Sequence, residues 1–197
     1  MADLSFPLRC ACGLLEGHVA ATHRAGRAIC YGHDCQAFAR FLGAPETALD
    51  ARGGADNMAT APRFMQFTVG TEKLRCMSLG PRGLLRWYSG FCPTPIGNIP
   101  RSPKLCCVGL VHRCLAGTPA AKDIAFGPAR LVLNPQSASG QVALMLLAML
   151  KILRNVGGSR LSGSFRQNPF FKAGTDEPIV PPQVLVAAQR RALRGTP

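Results

Sequence analysis

Five cysteines, arranged as two close pairs and one distant residue, constrain this chain more than any other feature. The pairs are Cys10 with Cys12 and Cys30 with Cys35, and Cys92 follows much later. Close thiol pairs that must meet across a long sequence separation are typical of a metal site assembled by the fold. Thiolates favour zinc among common cytosolic divalent ions, with tetrahedral geometry. We therefore predict zinc as the cofactor of this chain.

The other four cysteines have a simpler interpretation. Cys76, Cys106, Cys107 and Cys114 lie in apolar segments that resemble strands. A free cysteine in such a segment behaves as a small buried hydrophobe. We predict no metal at these four positions.

The cysteine count also bears on the compartment. The chain contains 9 cysteines, an odd number, and its first residues show no basic segment followed by an apolar one. We therefore expect no secretory signal. We expect the thiols to stay reduced, in the cytoplasm. The longest apolar run, residues 142–150, is shorter than the roughly 20 residues that cross a bilayer. We expect a buried helix there and no membrane partner.

Positive charge is concentrated after residue 72. Residues 1–72 carry six basic and seven acidic residues, whereas residues 73–197 carry seventeen basic and three acidic ones. This imbalance favours anionic partners such as small thiol peptides, acidic surfaces or nucleic acid. However, the basic residues are scattered, and with 1 Trp and 2 Tyr the chain has no evident stacking platform for single strands. Nucleic acid is therefore the less favoured anionic partner, although the net charge of +13 does not exclude it.

Short strands joined by tight turns dominate the first part of the sequence. A short helix is predicted from Gln36 to Leu42, capped by Asp34, and residues 51–63 have the Gly, Ala and Asp content of a loop. A long helix from Ser137 or Ser139 to Asn155 and a last helix over residues 183–194 follow. We predict a mainly β domain over residues 1–118 and a helical, basic C-terminal extension over residues 119–197. The expected fold class is α+β overall.

Three short motifs resemble those of the glutathione-dependent formaldehyde-activating enzyme superfamily, which also includes centromere protein V. The first, C-x-C-G, matches fully at residues 10–13. The second, C-[HY]-C-x-x-C, matches at Cys30, Tyr31 and Cys35, and the third, F-C-x-x-C-G-T-P, matches at its end from Cys92. The chain is most similar to a bacterial branch with D-C-Q-A-F, R-W-Y and T-P-I-G-N, here at residues 34–38, 86–88 and 94–98. The resemblance covers residues 9–96, somewhat under half of the chain.

This resemblance implies a zinc-binding, β-rich fold called a β-tent, with two metal sites. The first and third motifs hold a structural zinc. The middle motif holds a second zinc that engages the thiol of glutathione, so Cys30 and Cys35 are the predicted catalytic residues. The thiolate adds to formaldehyde to give S-hydroxymethylglutathione, and the reverse is a carbon–sulfur lyase reaction. The chemistry is sound because a metal lowers the pKa of a bound thiol.

Two departures from the motifs leave both sites incomplete. Gly32 stands where the second motif has its middle cysteine, and Ser89 stands where the third motif has its first. His33 can replace one lost ligand, since imidazole suits zinc, although a solvent-facing turn residue is the simpler interpretation. The predicted metal ligands are therefore Cys10, Cys12, Cys30, Cys35, Cys92 and His33. Convergence of all the thiols on one zinc, and loss of one or both metals, remain open alternatives.

Two functions are consistent with the sequence. The first is a zinc enzyme similar to carbon–sulfur lyases that act on glutathione–formaldehyde adducts, with Arg86, Arg101 and Lys104 as candidates to hold the carboxylates of the thiol peptide. The second is a non-catalytic zinc module that binds an anionic partner through its basic C-terminal half. The departures at Gly32 and Ser89 favour the second, and the matched motifs favour the first. Neither the thiol substrate nor the oligomeric state follows from the sequence.

Overall fold

The computed structural model describes residues 5–127, 131–133, 157–159 and 161–194. The predicted fold class is confirmed: the described chain is mainly β with helices, α+β overall, and its two sheets do not close into a barrel. In chain order, the elements are β1 (Phe6–Arg9), β2 (Glu16–Val19), β3 (Gly26–Cys30), α1 (His33–Phe41), α2 (Pro45–Ala48), β4 (Ala55–Thr60), β5 (Met65–Val69), β6 (Leu74–Ser78), β7 (Leu85–Ser89), β8 (Pro95–Ile99), β9 (Val108–Val111), α3 (Pro119–Phe126), β10 (Leu131–Leu133), β11 (Gln183–Val184) and α4 (Ala187–Arg194).

The strands form one large and one small sheet. The larger sheet has the order β10-β3-β4-β9-β8-β7-β6-β11, and the smaller has the order β1-β2-β5. All pairs are antiparallel except the two at the edges of the larger sheet, where β10 and β11 run parallel to their neighbours. Long-range strand pairs therefore place β3, early in the chain, in the same sheet as β7 and β8, with β4 and β9 between β3 and β8.

Each face of the larger sheet packs against its own layer, because successive side chains of a strand point to opposite faces. Trp87 is fully buried toward the smaller sheet, and its ring centroid lies 5.1 Å from that of Phe170. Tyr88, the next residue of β7, instead contacts α1, with ring centroids 6.4 Å from Phe38 and 5.7 Å from Phe41. The sheet thus separates two hydrophobic clusters.

Helix α1 begins earlier than the sequence indicated. Gly32 is its N-cap, and the Gly32 carbonyl accepts from the backbone N–H groups of Cys35 and Gln36. The prediction that Asp34 caps the helix is wrong, because its carboxylate pairs with Arg194 of α4, 2.5 Å away. Asp34 still lies in the first turn, where a negative charge is favourable.

The predicted loop over residues 51–63 is also wrong, because β4 occupies its middle. This strand pairs with β3 on one side and β9 on the other, and its Met58 and Thr60 are buried. Asp56 is tolerated in a central strand because Arg27 of β3 pairs with it, Nη2 to Oδ2 at 2.7 Å. Small residues and one paired carboxylate therefore build a strand that composition alone assigned to a loop.

Residues beyond 118 contribute to both layers. Phe126, Phe170 and Phe171 join the cluster around Trp87, β11 pairs with β6, and α4 packs on α1. The predicted helix from Ser137 or Ser139 to Asn155 lies outside the described residues, and the last predicted helix is shortened to α4. The domain boundary at residue 118 stays a prediction. Within the described ranges, no helix has the length and apolarity needed to cross a bilayer.

Phe170 offers a test of how far the C-terminal part supports the core. It is fully buried between Trp87 and Phe67, with ring centroids 5.1 and 5.6 Å away. We expect Phe170→Ala to reduce the free energy of unfolding by about 3–5 kcal/mol, because a large cavity would remain. Urea denaturation measures this loss. The control is Leu161→Ala, at a side chain that is 92% exposed, with an expected change within about 0.5 kcal/mol. Equal effects of the two changes would contradict this packing.

Candidate metal centre

The turn between β1 and β2 carries Cys10 and Cys12. The Cys10 N–H donates to the Leu15 carbonyl and the Gly13 N–H donates to the Cys10 carbonyl, both at 3.0 Å. Gly13 has a φ of +75°, a left-handed conformation that glycine adopts without strain. The backbone N–H of Leu15 also points at Cys10 Sγ, 3.3 Å away. This compact turn directs both sulfurs to one side.

The turn between β7 and β8 carries Cys92. Its backbone is closed by Ser89 N–H to the Thr94 carbonyl at 3.0 Å and Thr94 N–H to the Cys92 carbonyl at 2.7 Å. The two turns are joined where the Ala11 N–H donates to Thr94 Oγ1, 2.9 Å away. This bond spans 83 positions of sequence and holds Cys92 opposite the first turn.

The sulfur atoms of Cys10, Cys12 and Cys92 lie within 4.8 Å of one another. Cys10 Sγ and Cys12 Sγ are 3.4 Å apart. Cys10 is buried, Cys92 is half-buried and Cys12 is exposed, so the group opens to solvent on the Cys12 side. These three residues can hold a metal ion. Within the described part of the chain, no other group of three Cys, His, Asp or Glu ligands is this close.

The protonation of this group is uneven. Burial acts to raise the pKa of Cys92, but the hydroxyls of Ser89 and Thr94 and the backbone N–H of Cys12 lower it to about 6. For Cys12, a backbone N–H from Leu14 acts to lower the pKa, but desolvation and the neighbouring thiols of Cys10 and Cys92 raise it. The lower pKa makes Cys92 more readily deprotonated than Cys12. A preformed thiolate lowers the proton cost of metal binding.

Cys30 and Cys35 form a second, smaller thiol group. Cys30 ends β3 and Cys35 lies in the first turn of α1, and the Cys35 thiol donates to Cys30 Sγ at 3.3 Å. This hydrogen bond, with help from the Gly32 N–H and Arg86, lowers the pKa of Cys30 to about 6, although burial opposes the shift. The same contact with Cys30, together with burial, raises the pKa of Cys35. The pair therefore shares one proton, which stays on Cys35.

Arg86 lies beside this pair and not beside Cys92. Its side chain is buried, donates to Asn98 Oδ1 at 2.9 Å and lies 5.5 Å from the ring centroid of Phe38. Together with Cys35, these residues line one small cavity. Arg86 is near Cys92 along the chain, but this proximity in sequence does not place the two side chains together in the fold. The missed signal is the strand alternation, which turns Arg86 and Ser89 to opposite faces of β7.

The structure thus brings together the cysteines of the first and third motifs, and separately the two of the second. The five sulfurs do not form one group. His33 is exposed at the first residue of α1 and belongs to no three-ligand group in the described residues. A second metal at Cys30, Cys35 and His33, and the catalytic role of the two cysteines, stay predictions. Arg101, another candidate for substrate carboxylates, donates to the carbonyls of Gly80 and Gly83.

The two residues that depart from the motifs, Ser89 and Gly32, each lie next to one of the thiol groups. Ser89 Oγ lies 3.4 Å from Cys92 Sγ and is buried, so a cysteine at this position would border the three-sulfur group. A Cβ atom added at Gly32 would lie 3.3 Å from Cys30 Sγ, so a cysteine there would border the two-sulfur group. Thr94, a motif residue to which the sequence assigned no role, joins the two turns and lies 3.2 Å from Cys92 Sγ.

Comparison with known proteins gives a family but no activity. Residues 2–180 match the model of a family of unknown function, DUF6151, and this is most of the 197 residues. The chain belongs to this family. No curated protein and no solved structure is detectably similar to it.

The lowered pKa of Cys92 predicts how this thiol reacts in metal-free protein. The thiolate is the reactive form, so its alkylation by iodoacetamide should rise as the pH increases through about 6 and level off near neutrality. An unperturbed cysteine titrates at about 8.5. Peptide mapping after short pulses measures Cys92 separately from the other thiols. Ser89→Ala removes one hydroxyl donor and should move the midpoint upward. A midpoint near 8.5 in the unsubstituted protein would contradict the assignment.

Proposed function

We propose that this DUF6151 protein binds one zinc ion through Cys10, Cys12 and Cys92, and that the fourth coordination position accepts a small external thiol. The observation that carries the proposal is the convergence of three sulfurs, from two turns far apart in sequence, within 4.8 Å. This arrangement favours a metal site more than a set of unrelated buried thiols. One thiol of the group, Cys12, is exposed, whereas a cysteine that served only as a small hydrophobic residue would be buried.

Zinc is the metal that suits this donor set. Zinc–thiolate bonds of about 2.3 Å in tetrahedral geometry separate neighbouring sulfurs by roughly 3.8 Å. The contact of 3.4 Å between Cys10 and Cys12 and the limit of 4.8 Å for the whole group bracket that separation. We assign the protein to the cytoplasm, because nine free cysteines require a reducing compartment.

The open position distinguishes this site from a closed structural one. Structural zinc sites have four protein ligands, whereas catalytic sites have three and leave one position for water or substrate. Ser89 stands where the resembling motif has a fourth thiol, and it bears a hydroxyl whose Oγ lies 3.4 Å from Cys92 Sγ. The exposure of Cys12 gives an external ligand a path to the site. A thiol bound there would lose its proton near neutral pH.

The reaction class we propose is the addition of such a thiolate to a small aldehyde such as formaldehyde, and its reversal. A carbon–sulfur bond forms, the carbonyl π bond opens and the oxygen takes a proton. The protein itself contributes the orientation of Cys92 and the hydroxyl groups beside Cys92 Sγ. Because Thr94 Oγ1 accepts the Ala11 N–H, its own hydroxyl proton is free to point at Cys92 Sγ, 3.2 Å away. An anionic thiol such as glutathione suits a chain of net charge +13.

Metal content and the cobalt(II) spectrum test the site directly. We expect one zinc per chain in protein purified under reducing conditions, and loss of that zinc in Cys12→Ser. Cys107→Ser is the control, because this thiol lies outside the group. In cobalt-substituted protein, glutathione should strengthen the sulfur-to-cobalt absorption, and S-methylglutathione, which has no thiol, should not. Metal-free protein, or metal that Cys12→Ser retains, would contradict the proposal.

The variant Ser89→Cys separates an open site from a closed one. A fourth thiolate beside Cys92 should complete the coordination, so zinc should be released more slowly to a chelator, by about tenfold or more. The same variant should lose the spectral response to glutathione, because the external position is filled. Ser89→Ala is the matched control and should keep that response. A Ser89→Cys protein that still binds glutathione at the metal would overturn the assignment of the open position.

Thiol-dependent consumption of formaldehyde then distinguishes the enzyme from the non-catalytic zinc module. Turnover of formaldehyde that requires both glutathione and Cys12 supports the enzymatic function. Zinc binding without turnover, combined with salt-sensitive binding of a polyanion, supports the module, whose candidate surface includes the arginines of α4.

A further inference from the structure

The pair Cys30 and Cys35 lacks the third donor that the other thiol group has. Their sulfurs are 3.3 Å apart, but in the described residues no His, Cys, Asp or Glu completes a group of three with them. Gly32, the residue next to this pair, offers no side-chain donor, and His33 is exposed. Two thiols without a third ligand hold zinc poorly, but they are sufficient for a disulfide.

Arg86 gives this pair a chemical character of its own. The side chain is only 3% exposed, and in the described residues none of its contacts is with a carboxylate. A buried cation without a counter-ion is costly, so a nearby anion is favoured. Cys35 lines the same cavity as Arg86, and the Cys30 sulfur accepts the hydrogen bond of Cys35. A thiolate on Cys30 is the available counter-ion.

We propose that Cys30 and Cys35 are a redox-active dithiol that exchanges with small disulfides, with Cys30 as the attacking residue and Cys35 as the resolving one. This activity is separate from the proposed zinc site, because the two groups lie on opposite faces of the larger sheet. The assignment of roles follows from the hydrogen bond, in which Cys35 keeps its proton and Cys30 is the acceptor.

The exchange is balanced with a low-molecular-weight disulfide, such as glutathione disulfide, as oxidant. The Cys30 thiolate attacks one sulfur, the S–S bond breaks and one thiolate leaves, forming a mixed disulfide. Cys35 then loses its proton to that leaving thiolate and attacks Cys30 Sγ, which releases the second thiolate. The two protein sulfurs lose two electrons and the small disulfide gains them, giving two small thiols after proton uptake. The protein sulfurs need to move from 3.3 Å to about 2.05 Å.

Arg86 should control the position of this equilibrium. It stabilises the reduced pair through its charge and has no comparable interaction with a neutral disulfide. Loss of the charge in Arg86→Met should therefore shift the glutathione exchange equilibrium toward the disulfide by about tenfold, which corresponds to about 30 mV for two electrons. Arg86→Lys keeps a positive charge and should show a smaller shift.

The test is reaction of the reduced, full-length protein with glutathione disulfide, followed by acid quenching, alkylation and peptide mapping. We expect a Cys30–Cys35 linkage, a trapped glutathione adduct on Cys30 in Cys35→Ser, and at least tenfold slower modification of Cys35 in Cys30→Ser. Cys107→Ser is the control and should react as the unsubstituted protein does. These experiments are repeated in Cys12→Ser, where the result should be the same even if the zinc proposal fails.

Three results would overturn the dithiol assignment. One is a folded protein in which no linkage between Cys30 and Cys35 forms. Another is a glutathione adduct that forms on Cys35 in preference to Cys30. The third is zinc that remains in Cys12→Ser and is lost in Cys30→Ser, which would make the pair a metal site.

Discussion

Strand β7 turns successive side chains to opposite faces of the larger sheet, and this alternation decides which sulfur atoms can meet. Ser89 faces the layer shared with the smaller sheet and contacts Cys92. Arg86 faces α1 and lies beside Cys30 and Cys35. One strand therefore contributes to two thiol groups while the sheet keeps them apart. The separation allows one group to serve as a metal site and the other to have an independent chemistry.

Several arginines make structural contacts within the fold. Arg27 pairs with two aspartates, and Arg63 donates to Ser159 and Ser164. Arg101 and Arg40 donate to backbone carbonyls of a turn and of α4, respectively. Arginine suits this role because its planar guanidinium offers several donors at once. These guanidinium groups keep their charge, but their hydrogen-bond donors are engaged within the fold, so they are poorly placed to bind the carboxylates of a ligand directly.

The sequence predicted the local parts of the candidate site better than the contacts between them. The C-x-C-G motif placed Cys10 and Cys12 close together along the chain, and the structure presents both thiols from the turn between β1 and β2. Their meeting with Cys92 was expected from the resemblance. The bond that joins the two turns involves Thr94, which belongs to the third motif but to which the sequence assigned no role. The position of Arg86 could have been predicted only by applying the alternation of side chains along β7. Strand β4 was missed because its stabilising partner, Arg27, lies on another strand. Pairing across strands is a property of register, which composition does not encode.

The two positions at which a motif cysteine is missing have unequal consequences. At residue 89 a serine remains, and its hydroxyl can donate to the Cys92 thiolate, so three sulfurs keep their places around a polar position. At residue 32 a glycine remains, and it leaves no donor next to Cys30. Relative to the motifs that the sequence resembles, the serine leaves an open position beside three sulfurs, whereas the glycine leaves two sulfurs that contact each other. We therefore propose a different chemistry for each layer: metal binding for the first group and thiol–disulfide exchange for the second.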